Sequence, residues 1–115
     1  MFFQLHNLSQ PICHGHLTSH NLFIEHDLFH GYKIWIGDLE LQPFIKIGAL
    51  FNNYSVNSVW SSPEVLFQQK VQDFNKAMDV YSFSILFWEI LHEQIPFDND
   101  LNLAKSFVCD EHSRP

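Results

Sequence analysis

The chain has 115 residues, 46% of them hydrophobic and 17% charged, which is the balance of a folded domain and excludes a disordered segment. Six Lys and Arg against 13 Asp and Glu leave a net charge of −7, which repels a phosphate backbone and offers no basic stripe to DNA, RNA or anionic lipid. The longest apolar run, Val80 to Leu91, is broken by Ser82, Ser84 and Glu89 and falls short of the roughly 20 apolar residues of a membrane span.

Met1 to His6 reads as the end of an amphipathic helix, stopped by the turn-forming residues Asn7 to Pro11. A polar, His-rich loop follows Ile12, and Leu22 to Ile24 then reads as a brief strand. Tyr32 to Ile36 alternates in the manner of a second strand, with His26 to Gly31 as the hairpin between them. Gln42 to Ser62 has few charges and no sustained period, which predicts a long surface loop. Ser62 as N-cap and Pro63 at the first helical position predict a short helix over Pro63 to Gln69. The strongest helical signal runs from Asp79 to His92, with Asp79 as its N-cap and apolar residues on nearly every face, the pattern of a helix at the centre of a domain. Pro96 ends it, Asp98 to Asp100 form a turn, and Leu101 to Val108 form a weaker last helix. Cys13 and Cys109 lack a paired spacing, which suits reduced thiols; with no basic signal region before the short apolar start, they point to a cytoplasmic location.

Six motifs occur in order. The run His14-Gly15-His16-Leu17-Thr18-Ser19-His20-Asn21 has the length and anchors of a catalytic loop that begins with His-Arg-Asp and closes with Asn. Trp35-Ile36-Gly37-Asp38-Leu39-Glu40 is similar to an Asp-Phe-Gly segment, and Trp60-Ser61-Ser62-Pro63-Glu64 to the Ala-Pro-Glu end of an activation segment. Asp79-Val80-Tyr81-Ser82-Phe83-Ser84 is similar to the start of a central lobe helix, and Trp88-Glu89-Ile90 and Pro96-Phe97 follow at matching places. Together they make the chain resemble the C-terminal lobe of a protein kinase domain, in the style of the tyrosine-kinase-like branch. The resemblance covers the whole chain and implies a mainly α (α+β) fold. Its elements are a short β-hairpin, an activation-type loop and a central buried helix. Residues 1–115 would then run from the end of helix E to about helix G, with the upper lobe and the last helices absent.

The departures from that pattern bear on function. The resemblance puts His16 at the position of the catalytic aspartate, where an imidazole lacks the anionic charge and carboxylate geometry. Gly15 replaces the arginine that would pair with a phosphorylated activation loop. Leu39-Glu40 replaces Phe-Gly, which removes a glycine hinge and sets a like charge beside Asp38. Asn21 and Asp38 match the family's magnesium positions and imply Mg-ATP only where an upper lobe is supplied; otherwise no cofactor is expected, Asn21 tethers the loop and Asp38 caps the following segment. The interval between them, 38 − 21 = 17, implies a small insertion in the hairpin. His14, Glu64 and Asp79 match structural positions, Asp79 bonding the loop's backbone amides. Glu64 would pair with an arginine near the end of the lobe. Arg114 lies 114 − 97 = 17 positions after Phe97 and matches a different Arg-Pro, so that partner is not expected here.

Three readings follow. His14, His16 and His20 invite a zinc or copper site, although the loop match already accounts for their spacing. A retained kinase could use His16 as its base within a longer chain, transferring phosphate from ATP to Ser, Thr or Tyr. The preferred reading is a pseudokinase that presents the central helix, Pro63 to Gln69 and the acidic turn Asp98 to Asp100 to a protein partner. Tyr54, Ser55 and Ser58 are candidate phosphorylation sites, with no arginine at position 15 to read them.

Overall fold

The computed structural model describes residues 7–9, 12–39, 58–67 and 74–109. The proposed helix Met1 to His6, most of the loop Gln42 to Ser62, the end of the helix proposed to reach Gln69, and Arg114 lie outside the described residues.

Two antiparallel strands, β1 (Leu22–Asp27) and β2 (Gly31–Ile36), pair from Leu22↔Ile36 to Asp27↔Gly31. β1 runs three residues beyond the expected Leu22 to Ile24. Glu25, His26 and Asp27 hide it in the sequence because both faces of the hairpin meet solvent and no polar/apolar alternation is required. Cross-strand pairs hold it instead: Trp35 Nε1 donates to Glu25 Oε2 at 2.8 Å, and the His26 and Tyr32 rings lie 4.9 Å apart. The three-residue turn is closed by the Asp27 carboxylate, whose Oδ1 accepts from the Phe29 and His30 N–H groups at 2.8 and 3.3 Å. Gly31, at φ +78°, returns the chain into β2. Leu28 and Phe29 at the tip are 86% and 92% exposed.

Three helices follow: α1 (Pro63–Phe67), α2 (Lys76–His92) and α3 (Leu101–Cys109). At α1 the Ser62 carbonyl accepts from the Val65 and Leu66 N–H groups, both at 2.9 Å, but its hydroxyl is buried without a partner among the described residues, so the side-chain cap read from the sequence is not made. α2 begins three residues before the expected Asp79. Asn75 is its N-cap, its Oδ1 accepting from Met78 N–H at 3.2 Å, and Asp79 lies inside the first turn with its carboxylate committed elsewhere. The helix ends where Glu93 turns left-handed at φ 52°, before Pro96. The expected acidic turn is a 3-10 segment, Pro96–Asn99, and Asp100 Oδ1 caps α3 by accepting from Asn102 and Leu103 N–H.

Leu17, Val59, Trp60, Ile85, Leu86, Phe97 and Ala104 form one buried cluster, with Leu22, Ile36 and Tyr81 packed against it. Each large member contributes about 1.5–3 kcal/mol by leaving water. Val59, Trp60, Ser61 and Ser62 are buried, so the end of the segment read as a surface loop is core. Polarity and missing period suggested solvent there, yet the Trp60 ring fills the space between the His-rich loop and α2. α2 buries Met78, Asp79, Ser82, Ile85 and Leu86, while Val80, Phe83, Phe87, Ile90 and Leu91 are exposed.

Candidate functional site

The loop from His14 to Asn21 has few apolar side chains, and its course is set by polar groups that reach it from distant parts of the chain. Asp79, 2% exposed, directs both carboxylate oxygens at it: Oδ2 accepts from His14 N–H and Oδ1 from Gly15 N–H, each at 2.8 Å. Such charge-assisted bonds are the strong ones. They hold Gly15 at φ +74°, a left-handed conformation that glycine takes without steric cost.

His14 is buried and joins two segments. The His16 N–H donates to its Nδ1 at 3.2 Å, so Nδ1 is the acceptor and the proton sits on Nε2, which donates to the Gly37 carbonyl at 2.8 Å. Gly37 also donates its N–H to the Asn21 carbonyl at 2.8 Å, continuing the β1–β2 pairing to the residue before Asp38. An ideal Cβ at position 37 would stand 2.7 Å from Cε2 of Phe23, so a side chain there requires that exposed ring to move.

Asn21 is buried with its amide committed within the loop. Its Oδ1 accepts from the Thr18 hydroxyl at 3.0 Å and its Nδ2 donates to the His16 carbonyl at 2.9 Å. Asp38 is exposed, at φ 59°, and the segment it was expected to cap lies outside the described residues from position 40. Magnesium needs several oxygen donors in octahedral geometry. Among the described residues only the Asn21 amide oxygen, which has a second lone pair beside the one the Thr18 hydroxyl uses, and the exposed Asp38 carboxylate stand at these positions.

His16 is half-buried, and its Nδ1 is enclosed without a hydrogen-bond partner among the described residues. Burial pushes the imidazole below its usual range, His14 adds to this, and the nearby Asp38 carboxylate opposes both. The ring is therefore neutral at pH 7, with a lone pair able to take a proton. Burial also raises the Cys13 thiol, with Asp79 adding to the effect and Lys76 opposing it, which disfavours a reactive thiolate.

The three loop histidines do not converge. His14 spans to Gly37, whereas the His20 ring stands edge-on to Trp60 with centroids 5.5 Å apart. Among the described residues no group of three or more His, Cys, Asp and Glu is arranged to hold a metal ion. Glu64 is exposed in the first turn of α1.

The structure thus gathers His14, His16, Asn21, Asp38 and Asp79 around one loop and leaves Glu64 apart. Three contributors were missed in the sequence. Thr18 stands three residues before Asn21, a spacing that a local-turn reading could have found. Phe74 lies against Gly15, and no sequence signal links them. Trp60 Nε1 donates to Glu89 Oε2 at 2.8 Å, tying the segment before α1 to α2.

A family model described as the protein kinase domain matches residues 3–113. The chain is 32% identical over 98 residues to "Probable serine/threonine-protein kinase roco8" of Dictyostelium discoideum, covering 82% of this chain and 5% of that protein. It is 29% identical over 116 residues to the dual specificity protein kinase shkC of the same organism, covering 96% and 22%. It is 38% identical over 95 residues to the human serine/threonine-protein kinase TNNI3K, covering 81% and 11%. No solved structure matches. The chain spans only 4% to 22% of the length of these and similar curated relatives. Among the described residues no helix is long and apolar enough to cross a membrane.

Proposed function

This chain belongs to the protein kinase domain family, and on that footing we propose that it is part of the lower lobe of a pseudokinase, acting as a protein-interaction or regulatory module. His16 carries the reading. At the place where the family's aspartate accepts the substrate proton stands a half-buried imidazole with one ring nitrogen enclosed and no negative charge to offer. Loss of a positioned general base removes about 10²–10⁴-fold of rate. Asn21, whose amide bonds the Thr18 hydroxyl and the His16 carbonyl within the loop, supports a tether role. The style of the motifs favours the tyrosine-kinase-like branch, and the net charge of −7 favours a protein partner over nucleic acid.

One observation favours a second reading, residual phosphoryl transfer from Mg-ATP within a longer chain: the depressed pKa of His16 leaves a neutral imidazole that could serve as base. The two separate in one experiment on the full-length protein, which measures phosphate transfer from labelled Mg-ATP to itself and to a generic protein substrate, beside His16→Asp and His16→Ala. The pseudokinase reading expects no transfer above background in the natural protein and in His16→Ala. Transfer by the natural protein that His16→Ala abolishes overturns it.

A further inference from the structure

Away from the loop, the end of α2, the 3-10 segment and α3 meet around a small cavity. Trp88 of α2, Phe97 of the 3-10 segment and Phe107 of α3 line it, with Ile95, Leu103 and Asp98 beside them. Leu103 and Phe107 stand one turn apart, so α3 presents both on one stripe. The rings are held from behind. Phe97 is 7% exposed and belongs to the buried cluster, and the Phe107 ring lies against it with centroids 5.8 Å apart. The His92 ring stacks on Trp88 at 4.4 Å, and the Trp88 carbonyl accepts from His92 Nδ1 at 2.9 Å. Walls fixed in advance lower the ordering cost of a guest.

Size and charge restrict that guest. The cavity holds about 180 Å³, below the roughly 300 Å³ at which sites for drug-sized molecules begin, which leaves room for one side chain and not for a nucleotide. No Lys, Arg or His lines it, and the stretch from Glu93 to Asp100, which supplies Ile95, Phe97 and Asp98, carries three carboxylates and no Lys or Arg. Aromatic faces attract a cation through their quadrupole, and a carboxylate at the rim adds charge-assisted hydrogen bonds. An apolar guest would gain nothing from Asp98. An ammonium gives up more hydration than a guanidinium, which is planar enough to lie on the rings while its donors reach a carboxylate.

We propose that this cavity is the anchor site for an arginine side chain on a protein partner. The proposal deepens the reading of the chain as an interaction module and rests on it. Its test measures binding at this cavity and not phosphate transfer, so the two fail separately.

The probe is arginine blocked at both termini, which mimics a residue within a chain, titrated into full-length protein labelled with 5-fluorotryptophan. Fluorine resonances are followed, and Trp88→Phe assigns the one from Trp88. Blocked arginine is expected to shift the Trp88 resonance saturably and to leave those of Trp35 and Trp60 in place. Blocked citrulline, which keeps the shape and loses the charge, is expected to bind at least about tenfold more weakly, as is blocked arginine to Asp98→Asn. Phe107→Ala, which removes a ring 37% exposed, is expected to weaken binding similarly with an unchanged melting temperature. No saturable shift, or equal binding of blocked leucine, overturns the proposal. Tighter binding of free than of blocked arginine also overturns it, because the site would then be one for the amino acid. So does a gain of tenfold or more in Arg114→Ala, which would make the chain's own arginine the occupant.

Discussion

Replacement of Asp79 tests the loop at its main support. The carboxylate is 2% exposed and accepts two backbone N–H groups at 2.8 Å, from His14 and Gly15. A hydrogen bond to a charged group contributes roughly 1.5–3 kcal/mol, and deleting the acceptor strands the donors in a buried place. Asp79→Ala should therefore cost about 3–5 kcal/mol, a large part of the roughly 5–15 kcal/mol that holds a domain folded. Asp79→Asn keeps one acceptor oxygen but turns an N–H donor toward the second amide, and should cost about 2 kcal/mol. Urea unfolding of the full-length protein measures the total, and amide exchange at His14 and Gly15 locates it. An Asp79→Asn protein within about 0.5 kcal/mol of the natural one, with both amides still protected, refutes the account.

His16 titrates below the ordinary imidazole range, so the unfolded chain takes up its proton near pH 6.5 while the folded chain does not until lower pH. Stability is steady above that range and falls as pH drops from about 6.5 toward the folded value; His16→Gln should flatten the acid side of a melting-temperature profile. The Phe29 and His30 donors hold the Asp27 carboxyl below its usual range, so the turn it closes keeps that support above about pH 4 and loses it as pH falls through the folded value. Exchange of the Phe29 and His30 amides against pH checks this, and Asp27→Ala should remove the dependence. Trp60→Phe deletes the bond to Glu89 and should cost about 1 kcal/mol, whereas Trp60→Ala opens the core and should cost about 3–5 kcal/mol; thermal unfolding of both variants separates hydrogen bond from packing.

The elements that repeat their own pattern were legible in the sequence. The apolar run into His92 and the Leu101 helix carry their signals locally, the first as an unbroken apolar stretch and the second as an amphipathic pattern. α2 nevertheless starts at Lys76 because Asn75 and Asp79 are both capping residue types, and only the fold shows that the Asp79 carboxylate is needed by the loop and Asn75 is free to cap. The reach of β1 through Glu25 to Asp27 was hidden because a hairpin with two solvent faces imposes no alternation. Trp60 was read with a surface loop because its burial depends on His20 and Glu89, which local composition cannot reveal. The motif order singled out His14, Asn21 and Asp38, which the fold brings around one loop, but the direction of the Asn21 amide and the seat of Phe74 are tertiary facts.

The bonds from Asp79 to His14 and Gly15 join positions 65 and 64 residues apart. Closing a flexible segment of that length costs on the order of 4 kcal/mol in chain entropy before either bond forms. The hairpin, by contrast, needs only a three-residue turn and can form on its own within microseconds. The two strands beside the loop are therefore an early, local event, while the loop acquires its geometry only when α2 docks. A ribosome must release the chain well past Asp79 before the His14 to Asn21 segment can settle, whereas the hairpin pairing needs no residue beyond Ile36.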